Sequence, residues 1–132
     1  SRRGGLPRGN SMVGQSKICT RMKPMIPYSV FDQVDMRVGT VLEVKPFPAA
    51  RNPSYQLWID FGDEIGIKKS SAQITAYSID ELVGMQVIAV VNFQPKQIAQ
   101  FMSECLVLGI LNEGNIVLIQ PASAVANGTS IS

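Results

Sequence analysis

The stretch Tyr55-Gln-Leu-Trp-Ile-Asp-Phe61 alternates strictly, with Tyr55, Leu57, Ile59 and Phe61 on one face and Gln56, Trp58 and Asp60 on the other. A period of two is the signature of a half-buried β-strand, because successive side chains point to opposite faces of a sheet. Asp63-Glu64 then turns the chain into a second extended run, Ile67-Lys-Lys-Ser-Ser-Ala-Gln73, which predicts a hairpin. Upstream, Arg37-Val-Gly-Thr-Val-Leu-Glu-Val44 reads as another strand, with Val38, Thr40, Leu42 and Val44 expected on one face and Gly39 marking a bend. Downstream come Met85-Gln-Val-Ile-Ala-Val-Val-Asn-Phe93, Cys105-Leu-Val-Leu-Gly-Ile-Leu111 and Asn115-Ile-Val-Leu-Ile-Gln120, the last two joined by a predicted turn at Asn112-Glu-Gly-Asn115. A Ser78-Ile-Asp-Glu81 capping box opens one short helix that stops at Gly84. Val30-Phe-Asp-Gln reads as a single helical turn before the first strand, and Pro48–Ser54 as a loop.

Five or more strands with a short helix after the third define an all-β chain. The order fits an OB-fold, a Greek-key five-stranded β-barrel with its helix between strands 3 and 4 and extra terminal strands. An open sandwich is the runner-up. With 132 residues, there is chain for one such core. No apolar run approaches the roughly 18 residues of a membrane span, so no membrane insertion is expected.

The chain has no histidine. That removes the commonest general base and metal ligand, and every Ser-His or Cys-His nucleophile. Cys19 and Cys105 form no CxxC pair, and no phosphate-binding Gly-rich loop is present. No catalytic residue, metal or cofactor is therefore expected, and reduced thiols suit a cytoplasmic protein. Charge is segregated. Residues 1–31 hold six basic residues and no acid, whereas residues 32–132 hold six basic and ten acidic ones. Residues 1–27 read as a flexible basic arm: a tag, a processing product or the remnant of an organelle transit peptide, the last of which would place the protein in an organelle matrix. Residues 28–132 read as the folded domain, and its mild acidity argues against strong non-specific nucleic-acid binding.

Asn92–Gly109 is the candidate binding segment. Phe93, Ile98, Phe101 and Met102 alternate there with Lys96, Gln97, Gln100 and Ser103, too apolar for an ordinary loop and too polar for a core. Apolar and Met side chains beside amides and a lysine suit adaptable contact with varied partners; the same residues could also plug a barrel end. Trp58 is a candidate stacking platform or subunit contact. Lys68 and Lys69 point to opposite faces, so a ligand meets one of them, and Ser71 and Gln73 extend that polar surface. Asp60, Asp63 and Glu64 sit by a Gly-flanked turn and read as solvated, and Cys105 as a small core residue.

These segments carry a family resemblance. Val34-Asp-Met-Arg-Val-Gly39, Ile67-Lys-Lys-Ser-Ser-Ala-Gln-Ile-Thr75, Val90-Val-Asn-Phe93 and Ser103-Glu-Cys-Leu-Val-Leu-Gly109 resemble the CsaA-like proteins of the tRNA-binding-domain family. The resemblance implies a homodimer and a non-enzymatic, export-related molecular chaperone that binds unfolded preproteins or peptides. The alternative it implies is tRNA binding, as in the modules appended to tRNA synthetases. Carried over by position, it marks Arg37, Lys69, Ser71, Gln73, Asn92, Lys96, Gln97 and Ser103. Glu104 and Cys105 replace the small residue and methionine usual after that serine in the tRNA-binding modules, and Gln94 replaces a proline; both departures favour the CsaA group.

Overall fold

The computed structural model describes residues 21–132. Most of the basic arm and Cys19 lie outside the described residues. A four-residue helical turn, α1 (Tyr28–Phe31), precedes β1 (Met36–Pro46), β2 (Tyr55–Asp60) and β3 (Ile67–Ala72). The helix α2 (Ile79–Leu82) follows, then β4 (Gln86–Val90), β5 (Lys96–Ile98), β6 (Phe101–Ser103), β7 (Leu106–Val107), β8 (Gly109–Asn112) and β9 (Asn115–Leu118). The main sheet has five strands in the order β3-β2-β1-β4-β7. It curls until β3 meets the chain beyond β6: the Glu104 amide donates to the Lys69 carbonyl at 2.7 Å, and the Ser70 hydroxyl donates to the Cys105 carbonyl at 2.9 Å. This nearly closed barrel, with α2 after its third strand, is the expected OB-fold.

The core follows from the alternation in β2. Leu57, Ile59 and Phe61 are buried inward and meet Val41, Val44, Ile74, Val87 and Ala89. The predicted capping box holds α2: the Ser78 hydroxyl accepts from the Glu81 amide and the Glu81 carboxylate accepts from the Ser78 amide. That fixes the helix so that Leu82 enters the barrel, fully buried.

The expected facing of β1 is overturned. Val41 pairs with Ile59 and Glu43 with Trp58, which leaves Leu42 as the extra residue of a β-bulge. The bulge resets the alternation. Gly39, Val41 and Val44 face the core, while Leu42 lies 45% exposed. Gly39 is required by proximity rather than by bending: a Cβ there would stand 2.6 Å from Ile59 Cγ2 and 2.7 Å from the Phe61 ring. Val38, on the opposite face, is buried beside the C-terminal chain, where its amide donates to the Thr129 carbonyl and its carbonyl accepts from Gly128.

The run from Cys105 to Leu111 is two strands, not one. β7 stays in the barrel against β4, and β8 leaves it to pair with β9. The turn between β8 and β9 is the predicted one: Glu113 and Gly114 both take positive φ, +51° and +85°, as a type I′ hairpin requires. The segment read as a connection, residues 92–103, contains a hairpin of its own, β5–β6.

Candidate binding surface

The β5–β6 hairpin is fastened by Phe101. Trp58 of β2 and Lys69 of β3 are cross-strand neighbours on the outer face of the barrel. The Phe101 ring lies against both, 5.8 Å from the Trp58 ring edge-on and 5.2 Å from Lys69 Nζ, with Phe47 at 5.4 Å. Only 8% of Phe101 is exposed. Phe101 is thus mostly packed away, and what remains exposed lines a depression of about 580 Å³ with Phe47, Pro48 and Gln56. The Phe101 ring is taken up by the apolar surface beneath the hairpin, because that contact removes a large aromatic area from water. Trp58 is committed in the same way: Phe101 meets it in T-shaped contact, and Lys45 Nζ lies 5.2 Å from its ring. It anchors the hairpin instead of offering an open platform.

Fixing the hairpin leaves a depression on each side. One, of about 310 Å³, brings together Ser71 and Gln73 of the β3 end, Lys96 and Gln97 of β5, and Arg51 and Asn52 of the loop before β2. Its lining contains two cations, three amide side chains and no carboxylate. The other, of about 280 Å³, is walled by Phe93, Cys105 and Leu106, with Lys96, Ser103 and Glu104 beside them. Phe93 and Leu106 are 53% and 49% exposed, so this recess presents open hydrocarbon. Lys96 lines both depressions. Six of the expected residues, Ser71, Gln73, Phe93, Lys96, Gln97 and Ser103, therefore meet on the two sides of one hairpin. Ser103 also steadies it, its hydroxyl accepting from the Ser71 amide at 3.4 Å.

The two lysines of β3 separate as their adjacency requires. Lys69 lies opposite Trp58 on the outer face, and Lys68 opposite the buried Ile59. The Lys69 amide donates to the Glu104 carboxylate at 3.0 Å. The glutamate that replaces a small residue in the resemblance thus has a structural task, capping an edge amide of β3. Cys105 beside it is buried, and desolvation pushes its thiol up to about 12. It is a core residue, as expected, and a poor nucleophile at neutral pH.

Arg37 and Asn92 are not part of this surface. The Arg37 guanidinium donates to Asp35 through Nε at 2.6 Å and Nη2 at 3.3 Å, and through Nη1 to the Gly128 carbonyl at 3.0 Å. The hydrogen bond to Asp35 raises its pKa above the ordinary arginine value. Asn92 uses both ends of its amide, accepting from the Asp35 amide and donating to the Gln33 carbonyl. These two side chains tie β1 to the α1 turn, the end of β4 and the C-terminal chain, and they line a separate polar depression with Tyr28, Asp32 and Ser130. Three of the five Arg37 N–H donors and the Asn92 amide are used internally, so both side chains have a structural task apart from the β5–β6 hairpin. Conversely, Arg51 and Asn52 were overlooked in a segment read only as a loop. The one available signal was an arginine in an otherwise uncharged connection.

A family profile described as "Putative tRNA binding domain" matches residues 36–130, and the chain belongs to this family. It is 35% identical over 109 residues to a methionine–tRNA ligase of Methanothrix thermoacetophila; the match covers 83% of this chain but only 16% of the ligase. It is 50% identical to the CsaA chaperone protein of Picrophilus torridus, with a TM-score of 0.79 over 82% of this chain and 100% of that one. A chaperone CsaA structure from Bacillus anthracis is 49% identical, with a TM-score of 0.78 over 83% of this chain and all of the other. The resemblance read from the sequence is borne out by both comparisons. No helix among the described residues is long and apolar enough to cross a membrane.

Proposed function

We propose that this chain is a non-enzymatic, CsaA-like chaperone that holds unfolded preproteins or peptides on the two sides of the β5–β6 hairpin, acting as a cytoplasmic homodimer. The observation that supports this most is the open apolar recess at Phe93 and Leu106, with Lys96 at its rim, in a chain about half identical to two CsaA chaperones over their whole length. A holder needs hydrocarbon to capture exposed side chains and polar groups around it to let them go. Without a nucleotide cycle, capture and release follow mass action. The binding domain is residues 28–132, preceded by a basic arm. Dimerisation would cover Ile110, Leu111 and Val117, which leave the detached β8–β9 hairpin 54%, 44% and 41% exposed.

A second reading, tRNA binding, is favoured by the family match. The two readings separate by salt and by mutation. Lys96→Ala weakens tRNA binding, a contact that salt also weakens steeply, and barely changes capture of a neutral unfolded peptide. Fluorescence anisotropy with both ligands checks this. If the variant remains folded but loses the neutral peptide, Lys96 is not a rim residue and the reading of the hairpin is wrong.

A further inference from the structure

We infer that the free edge of β5 receives an extended segment of the bound polypeptide as an added strand, and that Arg51 and Lys96 select segments carrying a carboxylate there. The inference rests on the peptide-holding reading and specifies how the ligand is held. Among the described residues β5 has a single ladder neighbour, β6, and its other edge has no strand against it. Ile98 and Phe101 flank a two-residue turn, and Gln97 pairs with Met102 next to them. In such a hairpin the pair beside the turn exchanges both main-chain hydrogen bonds and the next pair exchanges none. The N–H and C=O of Gln97 therefore point away from β6. Lys96, Gln97 and Ile98 all line the depression of about 310 Å³, whose far wall is the Arg51–Asn52 loop. A β-strand edge facing a groove is the arrangement that accepts peptides by strand addition, in which main-chain bonds give affinity and flanking pockets give selectivity.

Charge and shape favour a peptide over RNA in this groove. Among the described residues Arg51 and Lys96 are the only charged groups that line it, so an acidic side chain is attracted and a basic one repelled. No aromatic side chain lines it, so there is no platform on which bases could stack. Phe101 is buried, and Phe93 opens into the other recess.

The test uses the full chain and four labelled probes. These are a 12-residue Val/Thr/Leu peptide with one central Glu, the same peptide with Gln in its place, the Glu peptide with alternate amides N-methylated, and a 12-nucleotide RNA. Binding of the Glu peptide falls roughly tenfold on N-methylation, which deletes the ladder bonds. It falls about threefold on Glu→Gln, the size expected of an exposed charge contact. Gln97→Pro removes the outward N–H at a position where an edge strand tolerates proline, and it lowers affinity as much as N-methylation does, whereas Gln97→Ala, which keeps that N–H and loses only the side chain, costs clearly less. The N-methylated probe decides the matter even if Gln97→Pro fails to fold. Equal binding of the Glu peptide and its N-methylated form overturns strand addition and leaves peptide holding intact. Binding of the RNA with no binding of any peptide overturns both.

Discussion

Phe101→Ala separates a fastening ring from a ligand contact. Phe101 is 8% exposed and packs against Phe47, Trp58 and Lys69. Truncating a buried phenylalanine costs about 3–5 kcal/mol, from lost transfer energy and the cavity left behind. A short hairpin can settle partly into the gap, so the lower end, about 3 kcal/mol, is expected here. In a domain of this size that lowers Tm by roughly 10 °C. The hairpin also loses its anchor on Trp58. Affinity for unfolded peptide and for tRNA should fall together, since both depressions are bounded by the hairpin. Thermal unfolding followed by circular dichroism, with anisotropy for the two ligands, reads both effects. An exposed Phe101 would behave otherwise: surface truncations stay within about 0.5 kcal/mol. An unchanged Tm together with selective loss of the peptide would refute the packing argument.

Two further perturbations probe the barrel. Gly39→Ala places a methyl 2.6 Å from Ile59 Cγ2 and 2.7 Å from the Phe61 ring, both fully buried, so the variant should lose about 1–3 kcal/mol in urea unfolding; a shift under about 0.5 kcal/mol would show that the core gives way there. Cys105 has its thiol pKa raised by burial from 9.0 to about 12, so the folded state holds this proton more tightly than the unfolded one. Its contribution to stability is complete below pH 9 and is lost as pH rises toward about 12. Denaturant titrations between these limits should show the parent losing stability faster than Cys105→Ala, and rapid alkylation of native Cys105 at pH 8 would contradict the burial.

Local signals were legible where local chemistry decides the structure. The alternation of Tyr55–Phe61 placed β2 and faced it correctly, the Ser78–Glu81 box placed α2, and Asn112–Asn115 placed a hairpin turn, whose type I′ geometry the structure adds. Facing failed in β1 because a bulge follows from closing the sheet, and nothing in Val41-Leu42-Glu43 marks which residue is extra. The β5–β6 hairpin was hidden because Ala99, not glycine, takes φ +53° at its turn. Tertiary packing, not local preference, holds that turn, and Phe101 supplies the packing. The candidate site was legible in part. Lys96, Gln97, Ser71, Gln73, Phe93 and Ser103 converge as expected. Arg37 and Asn92 were carried by resemblance alone, and their hydrogen-bond partners, up to 91 positions away in sequence, are visible only in three dimensions.

The central claim is that hydrocarbon at the β5–β6 hairpin, not charge, holds the ligand. Equilibrium binding of a reduced, unfolded preprotein across a salt series, with total tRNA measured in parallel, tests it most directly. The account predicts preprotein affinity that changes less than about threefold while any tRNA affinity falls by orders of magnitude. Preprotein binding that is absent at every salt concentration, beside tRNA binding that persists at moderate salt, would contradict it.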